Sequence, residues 1–275
     1  MDLTETLNIN KDRVIPSESI LNEIQNSKNL KYILPLGLKN FDKSILNRGF
    51  HPNKKYLIFG TNKSGKTQIC YQICVQAFKL FSKELGYSKK ENIKFTYYLD
   101  TENTFTPERI KEIAIAMNLD YFKIFKSVNV ANIMSNYALL LKLKEIEEQE
   151  QLQNVRVLII DSINNYYRSE QGNKKISFYN TITTFLKILK IIDDLTEKFN
   201  LITIITAQVV PNFIDNAIIR DIPVGNQYLN HFFSEYLYLS TKADKNYIHL
   251  LNSQILPENK VSFKITPNGI EDLKI

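Results

Sequence analysis

The octapeptide GTNKSGKT, Gly60–Thr67, sets two glycines, a lysine and a hydroxyl at the spacing G-x-x-x-x-G-K-[ST]. The glycines let the backbone turn its N–H groups inward around an anion, in conformations that a Cβ would obstruct. Lys66 adds a compact cation for the β- and γ-phosphates of a nucleotide, and the Thr67 hydroxyl suits Mg²⁺. A helix opening at Lys66 would add the partial positive charge of its N-terminus.

Three more polar side chains close apolar runs that a parallel sheet would bring to the same end. Asp161 ends VRVLIID and could hold a Mg²⁺ shell, or serve as a turn or cap residue. Glu102 follows IKFTYYLD, where it could polarise an attacking water or stand as a solvated loop glutamate. Gln208 ends LITIITAQ, where its amide could sense a γ-phosphate or be satisfied by the main chain.

The elements that must position these groups are legible as alternating strands and helices. Strands are expected at Lys55–Phe59, Ile93–Asp100, Val155–Asp161 and Leu201–Gln208. Helices are expected at Lys66–Leu85 (with Ile69, Ile73, Ala77 and Leu80 on one stripe), from Pro107, over Ile133–Gln151, and through Ile182–Leu195. The runs SEYLYLST, NYIHLLNS and KVSFKITP then predict antiparallel strands. The fold class is α/β: a mostly parallel, doubly wound sheet with a β-rich C-terminal edge. Residues 1–30 read as an extension with one short helix after Pro16, and 31–275 as a single core.

Composition narrows the class. Lysine and arginine exceed aspartate and glutamate by 35 − 29 = 6, which permits a polyanionic partner. No apolar run approaches the roughly 20 residues that span a bilayer, so no membrane anchor is expected, and the polar, acidic start MDLTETLNINKDRV does not read as a signal peptide. The chain reads as a soluble intracellular protein. Cys70 and Cys74, four apart on a helix, are expected to be buried apolar residues.

GTNKSGKTQICYQICVQA, YLDTENTFTPERIKEIA, LIIDSINNYYRSE, ITAQVV, LPE and the closing NGIED occur in an order that resembles the RecA/RadA recombinase family, most closely its archaeal RadA branch. The resemblance runs from about Ile20 to the C-terminus. It implies a RecA-like P-loop ATPase core with ATP and Mg²⁺ as cofactors, and a place in the cytoplasm or nucleoid (the nucleus, in a eukaryote). Loop residues Thr61, Asn62, Lys63 and Ser64, together with Gln68, would join Gly60, Gly65, Lys66 and Thr67 in holding the nucleotide. Glu102 would be the catalytic carboxylate, acting with Lys66 and Gln208, and Asp161 would be the Walker B residue. Arg109 would stack on the adenine, as suits a planar guanidinium. His231 would be a second γ-phosphate sensor near a subunit interface, and Pro257 would touch a neighbour's nucleotide. Both imply a head-to-tail contact with subunits of this family, either itself or a recombinase.

The same resemblance implies two single-stranded-DNA segments. The first, RSEQGNKKIS, offers Arg168, Lys174 and Lys175, with Tyr167 as a stacking or packing residue. The second, about Val209–Gly225, offers Arg220 and Phe213. Departures are also plain. A short extension stands where RadA-type proteins carry a helix-hairpin-helix domain, and the docking phenylalanine–x–x–alanine is absent from residues 1–50. The family's Gly-Arg-Gly reads NKK, and a neighbour-capping aspartate falls at Asn252. The expected function is therefore an ATP-dependent, single-strand-DNA-binding RadA-family protein that assists recombination and repair. The alternatives are a full filament-forming recombinase and a non-hydrolysing adaptor of one.

Overall fold

The computed structural model of the chain describes residues 32–84, 93–148, 154–173, 175–213, 219–242 and 245–273. The expected helix after Pro16, Lys174, and the end of the charged run after Glu148 lie outside the described residues.

One nine-stranded sheet organises these residues. Its strands in chain order are β1 (Lys54–Gly60), β2 (Thr96–Asp100), β3 (Val128–Asn132), β4 (Val157–Asp161) and β5 (Ile202–Ala207), followed after a separate hairpin by four more. That hairpin pairs β6 (Val209–Pro211) with β7 (Asp221–Pro223). The last four strands are β8 (Glu235–Lys242), β9 (Lys245–Asn252), β10 (Asn259–Thr266) and β11 (Gly269–Asp272). Across the sheet the order is β11-β10-β9-β8-β1-β5-β4-β2-β3. Pairing is parallel from β8 through β3 and antiparallel from β8 to β11.

The central strands are buried on both faces, as their continuous apolar runs require. Alternation by two then divides their residues between two cores. Tyr56, Ile58, Val157 and Ile159 join one cluster, whereas Leu57, Phe59, Leu158 and Ile160 join the other.

The first face is covered by α1 (Lys39–Ser44), α2 (Lys66–Glu84), α3 (Pro107–Ala116) and α4 (Tyr121–Ser127). On α2 the apolar stripe is wider than expected. Cys70, Tyr71, Cys74 and Val75 are buried beside Ile69, Ile73 and Ala77, so the helix is enclosed on most sides. The second face is covered by α5 (Asn136–Glu148) and α7 (Phe178–Lys198), with α6 (Asn165–Gln171) preceding α7. A short α8 (Asn226–Leu229) follows the β6–β7 hairpin.

Several elements escape the expectation, among them β3 and α4. β3 is a half-exposed edge strand, and α4 is a two-turn helix whose first amides are accepted by Asp120.

Candidate functional site

Parallel register gathers the carboxyl ends of β1, β2, β4 and β5 along one rim. Asp100 pairs with Asp161 across β2 and β4, and Phe59 with Ala207 across β1 and β5. Loops leaving that rim carry Gly60–Thr67, Glu102 and Gln208. They enclose a cleft of about 720 Å³ lined by Lys66, Thr67, Gln68, Glu102, Arg109 and Gln208 among others.

The loop itself is built as a nest. Lys63 and Gly65 take φ of 65° and 105°, turning successive amides toward one side. Gly60 is needed for a different reason. A Cβ there would sit 2.3 Å from the carbonyl of Leu239 on β8, so close strand approach demands the glycine. Lys66 is nearly buried and donates to the carbonyls of Gly60 (2.9 Å) and Thr61 (3.0 Å). Burial lowers its pKa, and the carboxylates of Glu102 and Asp161 oppose that fall.

Asp161 lies almost wholly inside the protein. It accepts from Tyr98 Oη at 2.8 Å and from the Thr206 hydroxyl, and it also hydrogen-bonds Thr67. Burial raises its pKa, and these three hydroxyls counter the rise. Tyr98 and Thr206 are absent from the sequence-based set. The signal for them was period-two spacing, since Thr206 stands two before Gln208 on the same face, and Tyr98 two before Asp100.

Glu102 is held from two sides. Ser162 Oγ donates to its Oε1 at 2.6 Å, and Gln208 Nε2 donates to the same atom at 2.9 Å. Ser162 is another residue the sequence reading missed. Asp100 shapes the turn, accepting from the amides of Glu102 and Phe105. The solvated-loop alternative for Glu102 therefore does not describe it.

Arg109 lies at the far side of the cleft. Its guanidinium donates to Gln68, Glu112 and the carbonyls of Thr266 and Pro267. Ile265, Thr266 and Pro267, at the end of β10, complete the wall. None of the three was anticipated, because β10 is some 200 residues from the phosphate loop.

Residues 28–273 match the Rad51 family. The chain belongs to that family. Two curated relatives are "DNA repair and recombination protein RadA" from Methanococcus maripaludis strain C5 and from strain C6. Each is 28% identical over 247 residues, covering 87% of this chain and 76% of the relative. Rad51-family membership accords with the RecA-like order of strands around the cleft.

Against this Rad51-family frame, the remaining expected residues are scattered. The segment Arg168–Ser177, expected as a loop, begins as helix. Asn165–Gln171 forms α6, and Arg168 is exposed on it. Tyr167 is a packing residue, not a stacking platform. It is buried, with its ring 4.3 Å from that of Phe185. Lys175 is exposed, and Lys174 lies outside the described residues. Of the second segment, β6 and β7 form a hairpin stem, while residues 214–218 lie outside the described residues. Phe213 is 89% exposed beside that gap, and Arg220 is exposed too. A second cleft lies on the other side of Gln208, lined by Asn165, Arg168, Ser169, Gly172 and Asn173. His231 and Pro257 are exposed and do not line the Lys66 cleft.

The residues present fit a magnesium nucleotide. Thr67 and Asp161 offer the hard oxygen donors that Mg²⁺ selects. Within the nest the Ser64 hydroxyl is buried without a hydrogen-bond partner among the described residues. Among the described residues no helix is long and apolar enough to cross a membrane.

Proposed function

We propose that the chain binds ATP with Mg²⁺ in the Lys66 cleft, hydrolyses it, and uses its presence to control grip on single-stranded DNA in recombinational repair. The observation that carries this reading is the Glu102–Gln208 contact, because Gln208 borders both clefts. In the cleft, Lys66 and the Gly60–Thr67 amides hold the β- and γ-phosphates. Thr67 and Asp161 hold Mg²⁺, which when bound neutralises charge on the transferring phosphoryl group.

Glu102 takes a proton from the attacking water. Ser162 and Gln208 both bond Oε1, so among the described residues Oε2 keeps its lone pairs for that water. Arg109 presents a guanidinium, fixed by four acceptors, to the base. Arg168, Lys175, Arg220 and Phe213 serve the DNA strand, through phosphate contacts and through stacking. His231 and Pro257 act on the nucleotide of a neighbouring subunit, either a second copy or a recombinase of this family.

Fluorescence anisotropy of a labelled oligothymidine tests the reading. A non-hydrolysed ATP analogue should tighten binding by about tenfold relative to ADP, within the usual range of coupling between sites. Affinity should also fall steeply with salt. Equal affinity with ATP analogue, ADP and no nucleotide overturns the reading.

A further inference from the structure

We propose that Asn164 is the positioning residue that transmits the state of the Lys66 cleft to both nucleic-acid segments. The proposal rests on the functional reading above and names how that site is regulated.

Asn164 follows β4 and is wholly buried. Its amide nitrogen carries two protons, and each meets a carbonyl: Gln208 O at 2.9 Å and Val224 O at 3.0 Å. Its Oδ1 accepts from Gln208 N at 2.9 Å. Val224 N in turn donates to Gln208 O at 3.0 Å. Gln208 and Val224 flank the β6–β7 hairpin immediately before and after it, so one planar side chain closes the base of the whole second segment. Beyond Val224, Gly225 takes φ of 81°, and a Cβ there would lie 3.3 Å from the rings of Phe185 and Tyr167.

The other end of the connection is equally short. The Gln208 side chain donates to Glu102 while its main chain is gripped on both sides, so movement of that amide has no slack to absorb it. Asn164 O accepts the amide of Arg168, one turn into α6, at 3.0 Å. Asn165 adds a bond to the carbonyl of Thr101, beside Glu102, at 2.6 Å. A single residue thus touches the sensor amide's backbone, the return end of the second segment and the helix carrying Arg168. Only an asparagine supplies one acceptor and two donors on so small a frame. Aspartate lacks the donors, and the single hydroxyl proton of serine or threonine cannot reach two carbonyls.

The test compares wild type with Asn164→Ala and Asn164→Asp, using the labelled oligothymidine with ADP or with the non-hydrolysed ATP analogue. In both variants the ratio of the two DNA dissociation constants should fall to within about twofold of unity, against about tenfold in wild type. Affinity for the analogue without DNA should stay within about threefold of wild type, a split that a merely structural role would not produce. A variant that keeps the wild-type ratio overturns this proposal alone. Absence of any ratio in wild type overturns the proposal together with the reading beneath it. Should neither variant fold, amide exchange at Gln208 and Val224 of the wild type decides: protection must rise with the analogue over ADP, and unchanged protection overturns the proposal.

Discussion

Glu102 receives two donors on one oxygen, which fixes the carboxylate's plane without neutralising it. Glu102→Gln keeps an acceptor for Ser162 but removes the base. Phosphate release should fall about 100-fold or more, the ordinary worth of a positioned base, while ATP affinity stays within about threefold. Turnover at the wild-type rate would remove the carboxylate from the chemistry. At this scale much was legible: Lys66, Thr67, Glu102 and Gln208 do line one cleft, because each closes or follows a run whose place in a parallel sheet is forced, and Arg109, which only the family resemblance named, lines it from α3. Ser162, Tyr98, Thr206 and Asn164 were not. They act through hydrogen bonds to groups far away in the chain, and period-two spacing puts Tyr98 and Thr206 on the right face without announcing Asp161 as their partner. Pro257 and Pro267 illustrate the same limit, since only the fold shows that Pro267 lines the Lys66 cleft and Pro257 does not.

The elements obey rules that make their own tests. β1 lies between β5 and β8, and Gly60 passes close under Leu239. Gly60→Ala must push the two strands apart and should lower stability by about 1–3 kcal/mol, the usual cost of overpacking, as read from a denaturant midpoint. An unchanged midpoint would mean that the strands are not held at this spacing. On α1, Asp42 accepts from the amides of Leu36 and Gly37 at 2.8 and 2.9 Å. Burial pushes its carboxyl up to about 6, and Asp272 adds to the rise. A carboxyl raised from 3.8 binds its proton more tightly in the folded state, so its favourable contribution is full below pH 3.8 and is lost as pH climbs through 6. Wild-type stability relative to Asp42→Asn should therefore drop between about pH 4 and pH 7, by about 1 kcal/mol once partial exposure is allowed for. A difference flat with pH contradicts that account. The buried strands and α2 were readable because continuous apolar runs and helical stripes have few other uses. β3 was not, since an edge strand reading VNVAN needs only one neighbour and carries little apolar signal. The β6–β7 stem and α6 hid for a related reason: short polar segments take their shape from what they pack on.

For the molecule as a whole, His231 and Pro257 stand exposed and apart from the cleft formed by their own chain. If they serve a neighbour's nucleotide, ATP turnover per protomer should rise with protein concentration before levelling off. Turnover strictly proportional to concentration would show that one chain suffices. The sheet order carries a further consequence, for synthesis. β1 leaves the ribosome well before either of its two partners, β5 at Ile202–Ala207 and β8 at Glu235–Lys242. For well over a hundred residues of translation the nascent strand that leads into the phosphate loop has neither edge paired, a state slow to resolve and exposed to aggregation. Ribosome-bound chains halted before Ile202 should thus be protease-sensitive at Lys54 and Lys55, and a chaperone that shields lone apolar strands should matter more to the yield of this protein than to its final stability.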